Sequence, residues 1–173
     1  RWWLGYDLPF GKAVWFGVFH SIAAFTNTGI SLYTQNMIPF ASDPLILLPL
    51  AAGVILGGLG FPVLLELRRE TRSRLRWSLN TKLVLTTTAV LLVVGGIFVI
   101  ASEWSNPRTL GGMSPGGKVL SGFFMATMTR SGGFNSYDLA GGDPTTWFGM
   151  DILMFIGAGP GGTGGGVKVT TLA

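Results

Sequence analysis

The sequence predicts an all-α integral membrane protein in which full spans alternate with short apolar helices that end in glycine turns. Three observations predict this class. The 173 residues are 48% hydrophobic and 12% charged, whereas soluble domains carry roughly 25% charged residues. Two apolar segments, 44–67 and 83–101, are long enough to cross a bilayer. Two shorter apolar segments, 13–26 and 118–129, stop at glycine turns.

The N-terminal region combines an interfacial segment with the first short helix. Residues 1–12 are aromatic and amphipathic, which is typical of a membrane–water interface. Residues 13–26 form an apolar helical pattern that ends at Asn27-Thr28-Gly29. At about 1.5 Å per residue this helix spans only about 21 Å, less than the roughly 30 Å hydrocarbon core. We expect a pore helix over 13–26 and an extended loop at 27–30.

The segment 118–134 repeats this design. An apolar helix over 118–129 is followed by a loop at 130–134 that contains Ser131-Gly132-Gly133. A half-helix that ends in a glycine loop is how cation channels present backbone carbonyls to an ion; the alternative is a buried helix with a glycine C-cap. When the two loops are aligned, three pairs of residues are identical: Gly29 and Gly133, Phe19 and Phe123, Tyr33 and Tyr137.

The remaining segments define a topology. Asp43-Pro44 and Asp143-Pro144 are matching helix-start signals. The first opens the span 44–67, which we expect to be kinked at Pro49 and Pro62. The loop 68–82 holds six of the twelve Lys and Arg residues, and the positive-inside rule favours a cytoplasmic loop over nucleic-acid binding. The second span, 83–101, then leads to the outside loop 102–117.

The last segment is a broken helix over 144–173. Its helical pattern ends near residue 156, and glycine holds seven of the ten places at 157–166. A span that starts outside would break near the bilayer midplane, where irregular backbone is tolerated only inside protein or along a watery cavity. We expect a loose loop there that lines or plugs a permeation path.

Enzyme functions are not favoured by any motif. Gly157-x-Gly159-x-x-Gly162 fits the dinucleotide fingerprint, but that motif should follow a strand. A phosphate-binding P-loop fails because Val167 separates Gly166 from Lys168. His20 is the only histidine and lies on an apolar helix, so we expect a packed histidine and a protein that is not an enzyme.

Five stretches together carry a family resemblance. They are Ala24-Phe25-x-Asn27-x-Gly29, the Gly-Gly-Leu-Gly-Phe-Pro at 57–62, the Arg-Trp-Ser-Leu-Asn-Thr-Lys at 76–82, the Thr-Arg-Ser-Gly-Gly-Phe-Asn at 129–135 and the Gly-Pro-Gly-Gly-Thr-Gly-Gly-Gly-Val-Lys-Val-Thr-Thr at 159–171. The sequence resembles the Trk/Ktr/HKT superfamily of potassium transporters, most of all the membrane subunit of bacterial Ktr systems. In that family four helix–pore-loop–helix repeats surround one ion path. The resemblance covers the second and third repeats but not the first and fourth. It therefore implies that this chain is a fragment of a longer protein.

The resemblance implies roles for particular residues. The potassium-filter positions would be Asn27, Thr28, Gly29, Ser131, Gly132 and Gly133, with potassium held by their carbonyls. The intramembrane gating loop would comprise Gly157, Gly159, Gly161, Gly162, Thr163, Gly164, Gly165, Gly166 and Lys168. We also expect Arg130 to support the filter by pointing away from the ion, toward helix-end carbonyls or a carboxylate, with Asp138 and Glu103 as the nearest acidic candidates.

The function that follows is potassium uptake across the plasma membrane by a multi-pass protein embedded in the lipid bilayer. No cofactor is expected; potassium would be the substrate and sodium a candidate activator. The resemblance further implies a homodimer with a cytosolic nucleotide-binding regulatory subunit and no nucleic-acid partner. The alternative is a secondary transporter of another monovalent cation or a small solute, with discontinuous helices. Secondary transporters commonly have inverted repeats, whereas both repeats of this sequence are predicted to enter the membrane from the same side.

Overall fold

The computed structural model describes residues 1–70 and 76–172. Residues 71–75 of the predicted cytoplasmic loop lie outside the described part. Within it, helices are the only regular elements, together with one isolated parallel bridge between Ile156 and Val167. The helices are α1 (Trp2–Gly5), α2 (Phe10–Phe25), α3 (Pro44–Leu59), α4 (Phe61–Arg69), α5 (Leu79–Glu103), α6 (Pro115–Thr129), α7 (Pro144–Phe155) and α8 (Val169–Leu172).

The helices α2 and α6 cover the two short apolar segments. α2 follows Pro9 and has 16 residues. α6 has 15 residues and starts at Ser114-Pro115, where the Ser114 side chain accepts a hydrogen bond from the Gly117 amide. At about 1.5 Å per residue the two helices measure about 24 and 22 Å. Each begins three residues earlier than the sequence pattern indicated, because proline and serine start signals precede the apolar residues.

The predicted span 44–67 is not one continuous helix, because the chain breaks at Gly60. α3 and α4 meet there at 97°, and Gly60 has φ 90° and ψ 149°, a conformation open to glycine. Pro62 stands in the first turn of α4, where proline fits. Pro49 lies inside α3 without ending it. The break therefore comes from glycine, and only one of the two prolines lies beside it.

Among the described α-helices, the starts of α3, α5 and α7 are also capped by side chains, as is that of α6. Asp43 accepts a hydrogen bond from the Leu45 amide at the start of α3, and Asp143 accepts one from Thr145 at the start of α7. α5 begins after Ser78 and has 25 residues. Among the described helices, α5 alone is long and apolar enough to cross a membrane, and α3 with α4 forms a second candidate if the bent pair is one span.

α6 lies at the centre of the protein. On one side it packs with α3, which in turn packs with α2, and on the other side it packs with α5 and α7. The first side is a core that includes Ala24, Leu47, Val54, Phe124 and Met128. The second side includes Val99, Met125, Ala126, Tyr137 and Met150. Many large apolar side chains remain exposed on α2, α3, α5 and α7, which is typical of surfaces that face lipid or further protein.

Candidate functional site

The two glycine turns have positive φ angles at the same aligned positions. We call Asn27, Thr28 and Gly29 the first turn, and Ser131, Gly132 and Gly133 the second. The first turn follows the end of α2 and the second follows the end of α6. In each turn the first and third residues have positive φ: 52° and 64° in the first, 74° and 74° in the second. Asn tolerates this region better than most residues, whereas Ser131 is strained there.

The two turns lie against each other. A Cβ atom on Gly29 would lie 2.3 Å from the Cα atom of Gly133 and 2.7 Å from the carbonyl oxygen of Gly132. A Cβ atom on Gly133 would lie 2.8 Å from the Cα atom of Gly29. Real Cβ atoms do not approach this closely, so neither glycine can carry a side chain without a shift of the backbone. The contact brings all six predicted filter positions to one place.

The backbone carbonyls of these turns have no hydrogen-bond partner among residues 1–70 and 76–172. Within the described part of the chain, no hydrogen bond reaches a backbone oxygen of residues 27–29 or 131–133. Buried carbonyls are nearly always paired, and most residues of these turns are at least partly exposed. The C-terminal end of a helix also carries partial negative charge, and both α2 and α6 end here. The cluster is therefore suited to a cation.

The glycine-rich loop 157–166 packs against the break between α3 and α4. The Gly159 amide donates to the Gly58 carbonyl over 2.9 Å, and the Thr163 amide donates to the Gly57 carbonyl over 3.1 Å. In return the Phe61 amide donates to the Gly161 carbonyl over 3.3 Å. This network contradicts the expectation of a loose backbone, because much of the loop is fixed by hydrogen bonds to its neighbours.

The loop also contacts both glycine turns. The Thr163 hydroxyl donates to the carbonyl of Phe25, the last residue of α2, over 2.9 Å. A Cβ atom on Gly164 would lie 3.3 Å from the Cβ atom of Ser131. The Lys168 ammonium group donates to the Gly164 carbonyl over 2.9 Å and supports the loop. The predicted gating residues thus lie directly beside the predicted filter residues.

Arg130 has a different partner from the acidic candidates. Its guanidinium group donates to the Gly157 carbonyl over 3.0 Å. Glu103 instead accepts hydrogen bonds from Asn106, Thr109 and the Asp143 amide. Asp138 accepts one from the Ala140 amide. Neither carboxylate pairs with Arg130 in the described residues, so of the two expected kinds of partner the structure has the helix-end carbonyl. The partner is a carbonyl just beyond the end of α7.

His20 is packed as the sequence predicted, and its hydrogen bonds give it a positioning role that the sequence did not show. It is fully buried in α2 within a cluster of aromatic rings. Nδ1 lies 2.7 Å from the Phe16 carbonyl, and Nε2 accepts from the Leu32 amide over 3.3 Å. The histidine therefore holds the chain that leaves the first turn. In the sequence, the only sign of this hydrogen-bonding role is that the single histidine lies seven residues before Asn27.

These features define a helical membrane protein with a cluster of unpaired backbone carbonyls between broken helices. The chain belongs to the TrkH family of cation transport proteins, whose model matches residues 11–173. This finding confirms the expected membership of the Trk/Ktr/HKT superfamily.

Two bacterial relatives share the name Ktr system potassium uptake protein B. The one from Vibrio alginolyticus is 40% identical over 168 residues, which cover 96% of this chain and 37% of that protein. The one from Bacillus subtilis is 39% identical over 154 residues, which cover 89% of this chain and 34% of that protein.

A third relative has a broader name. Potassium/sodium uptake protein NtpJ of Enterococcus hirae is 31% identical over 166 residues, 96% of this chain and 36% of that protein. The chain therefore spans a little over a third of the length of these relatives. All three named relatives are transport proteins rather than enzymes.

Proposed function

We propose that the full-length protein takes up potassium across the plasma membrane through a filter of backbone carbonyls. The first and second glycine turns would supply two parts of that filter, and the remaining parts would come from repeats outside this chain. One observation carries the proposal: two turns of matching conformation meet at Gly29 and Gly133 with their carbonyls unpaired.

The physical argument concerns the hydration of the ion. A potassium ion gives up its water shell only if several oxygens replace it. Side-chain carboxylates are absent from the two turns, so the oxygens would be carbonyls. Glycine allows carbonyls at successive positions without a Cβ clash, and the ends of α2 and α6 add partial negative charge without a fixed anion. A site of this kind holds a monovalent ion weakly enough to release it.

A second candidate function is transport of sodium, or of another monovalent cation or small solute, by discontinuous helices. The break between α3 and α4 and the end of α7 at Phe155 are the observations that favour it. The name of the Enterococcus relative, potassium/sodium uptake protein, supports keeping sodium as a candidate substrate or activator.

The glycine-rich loop 157–166 would act as the gate. It follows α7, whose 12 residues measure about 18 Å, too short to cross a hydrocarbon core of roughly 30 Å. Its contacts with both glycine turns support a position directly below the filter. The hydrogen bonds to the break between α3 and α4 define one position of the loop, and a second position in which they are broken would make it a two-state gate.

The assembly belongs to the same proposal. The relatives' names refer to a Ktr system, which supports an assembly with more than one kind of subunit. Within it we propose a homodimer of this protein with a nucleotide-binding regulatory subunit in the cytosol. The loop 68–82 carries six positive residues, so it would lie on the cytoplasmic side.

Complementation tests the function most simply. Cells that lack potassium uptake should grow on low potassium when they express the full-length protein. Growth should fail with a variant that carries Gly29→Ser and Gly133→Ser together. Wild-type protein that reaches the membrane but supports no growth on low potassium would contradict potassium uptake. Sodium uptake by the same cells without potassium uptake would favour the second candidate.

A further inference from the structure

We propose that the glycine-rich loop sets the ion selectivity of the two glycine turns, and not only the flux, through bonds from Thr163 and Arg130. This inference rests on the proposed function and deepens it. If it holds, each movement of the loop changes the geometry of the filter as well as the opening below it.

The first bond joins the loop to the first turn. The Thr163 hydroxyl donates to the Phe25 carbonyl, which lies two residues before Asn27 at the negative end of α2. The amide of the same threonine donates to the Gly57 carbonyl of α3. Thr163 therefore bridges α3 and the end of α2. It is the only hydroxyl residue in the loop 157–166.

The packing around this bond leaves little freedom. A Cβ atom on Gly57 would lie 2.0 Å from the Phe25 oxygen and 2.8 Å from the Thr163 hydroxyl oxygen. Only a glycine at position 57 lets the hydroxyl reach the helix end. The arrangement is thus specific to the three residues that form it.

A second contact reaches Asn27 itself. When the Asn27 amide is oriented to satisfy its neighbours, its oxygen accepts from the Gly164 amide over 3.3 Å. Its nitrogen then donates to the Val54 and Ala24 carbonyls over 3.2 and 3.1 Å. The side chain that lies at the start of the first turn is therefore shared between the loop and the helices that support the turn.

The third contact joins the loop to the second turn. Arg130 immediately precedes Ser131, and its guanidinium group donates to the carbonyl of Gly157, the first residue of the loop. Gly157 is held from the other side, because its amide donates to the Val167 carbonyl over 3.0 Å. Displacement of the loop would pull on the residue that sets the conformation of the second turn.

Coupling of this kind is reciprocal. If the loop position changes the affinity of the turns for a particular ion, then that ion must bias the loop position by the same factor. Potassium in the filter would favour one loop position, and a poorly fitting ion such as sodium would favour another. Positioning by Thr163 and Arg130 therefore predicts that selectivity and gating change together in variants.

The experiment compares potassium and sodium fluxes of the full-length protein in liposomes. The test variant is Thr163→Val, and Thr163→Ser keeps the hydroxyl. Since Thr163 is exposed, valine leaves no buried cavity. Thr86→Val on the exposed surface of α5 is the matched control. We expect Thr163→Val to lower the potassium-to-sodium ratio by about two- to tenfold, the range that one hydrogen bond provides, with both controls unchanged.

A second variant tests the same inference in case Thr163→Val does not fold. Arg130→Gln should also lower the ratio, and Arg130→Lys should restore part of it. Unchanged ratios in folded Thr163→Val and Arg130→Gln, even with altered flux, would overturn this inference and leave potassium uptake intact. Absence of potassium uptake by the wild-type protein would overturn the proposed function, and this inference with it.

Discussion

The backbones of Gly29 and Gly133 are in direct contact, although 104 positions separate them in the sequence. A Cβ atom on either glycine would lie less than 3 Å from the Cα atom of the other, at 2.3 and 2.8 Å. Both residues have positive φ. The two turns can therefore approach only because neither residue has a side chain, and any substitution must separate them or distort them.

Substitution of Gly133 by Ser should weaken discrimination between potassium and sodium. The positive φ costs a residue with a side chain about 1–2 kcal/mol, and the Cβ atom would displace Gly29. A loss of about 1.4 kcal/mol in relative affinity corresponds to tenfold, so we expect a drop of about this size in the flux ratio. Competitive uptake in liposomes measures the ratio.

Gly112→Ser is the matched control for this experiment. A Cβ atom there would meet nothing within 4 Å, and the residue is exposed. Its flux ratio should equal that of the wild type. An unchanged ratio in Gly133→Ser as well would remove Gly133 from the filter.

Deletion of residues 164–166 should raise the potassium flux and weaken control by any cytosolic regulator. The deletion removes the Gly164 carbonyl that Lys168 binds and the Gly164 amide that reaches Asn27. The loop could then no longer cover the turns. Flux in liposomes, with wild-type protein at equal density, measures the effect. Equal or lower flux in a correctly folded deletion variant would leave the loop with a structural role only.

The sequence predicted the positions of the half-helices and glycine turns because apolar runs, proline starts and glycine stops are local signals. It did not predict the break at Gly60. An apolar segment with two prolines has the same composition whether it forms a kinked span or two helices at 97°. The break depends on the packing of Gly60 against the Pro160 carbonyl, because a Cβ atom on Gly60 would lie 2.5 Å from that oxygen.

The sequence predicted the kind of partner that Arg130 has, but not the residue. Helix-end carbonyls were one of two expected acceptors, and only the structure shows that the acceptor is the backbone carbonyl of Gly157. The same applies to the fixed backbone of the glycine-rich loop. Its partners are carbonyls and amides at the break between α3 and α4, and such pairings leave no residue-type signal.

Replacement of His20 by Phe should destabilise the folded protein. The aromatic ring would be retained, but the Leu32 amide would lose its acceptor and the Ser31 hydroxyl would lose a partner, whereas the Phe16 carbonyl would keep its hydrogen bond within α2. Unpaired buried polar groups cost about 1–3 kcal/mol each. We expect a lower thermal unfolding midpoint in detergent. Phe19→Leu, a change of volume on the same helix, serves as the control, and a larger loss there than in His20→Phe would contradict the polar role.

Acid should weaken the attachment of the N-terminal segment to α3 through Asp43. Burial alone would raise the pKa of this carboxyl, but hydrogen bonds from Arg1, Tyr6 and the Leu45 amide outweigh it and hold the pKa below its ordinary value. A lowered pKa adds stability above the unfolded-state pKa of about 3.9, and that stability is lost as the pH falls through the folded-state value.

The thermal midpoint of the wild type should therefore fall more steeply below about pH 4 than that of Asp43→Asn. Since Arg1 is 45% exposed, solvent screens its ion pair with Asp43, and the difference between the proteins should be small. Asp7→Asn is the control because Asp7 is exposed. Identical pH profiles for the wild type and Asp43→Asn would show that this carboxyl does not hold the segment.

The most direct test of the filter is to locate the bound ion. Crystals of the full-length protein grown with rubidium in place of potassium should show anomalous density among the carbonyls of residues 27–29 and 131–133, at the contact between Gly29 and Gly133. The density should weaken when sodium replaces rubidium. Rubidium bound elsewhere along the path, with these carbonyls unoccupied, would contradict the assignment of the two glycine turns to the filter.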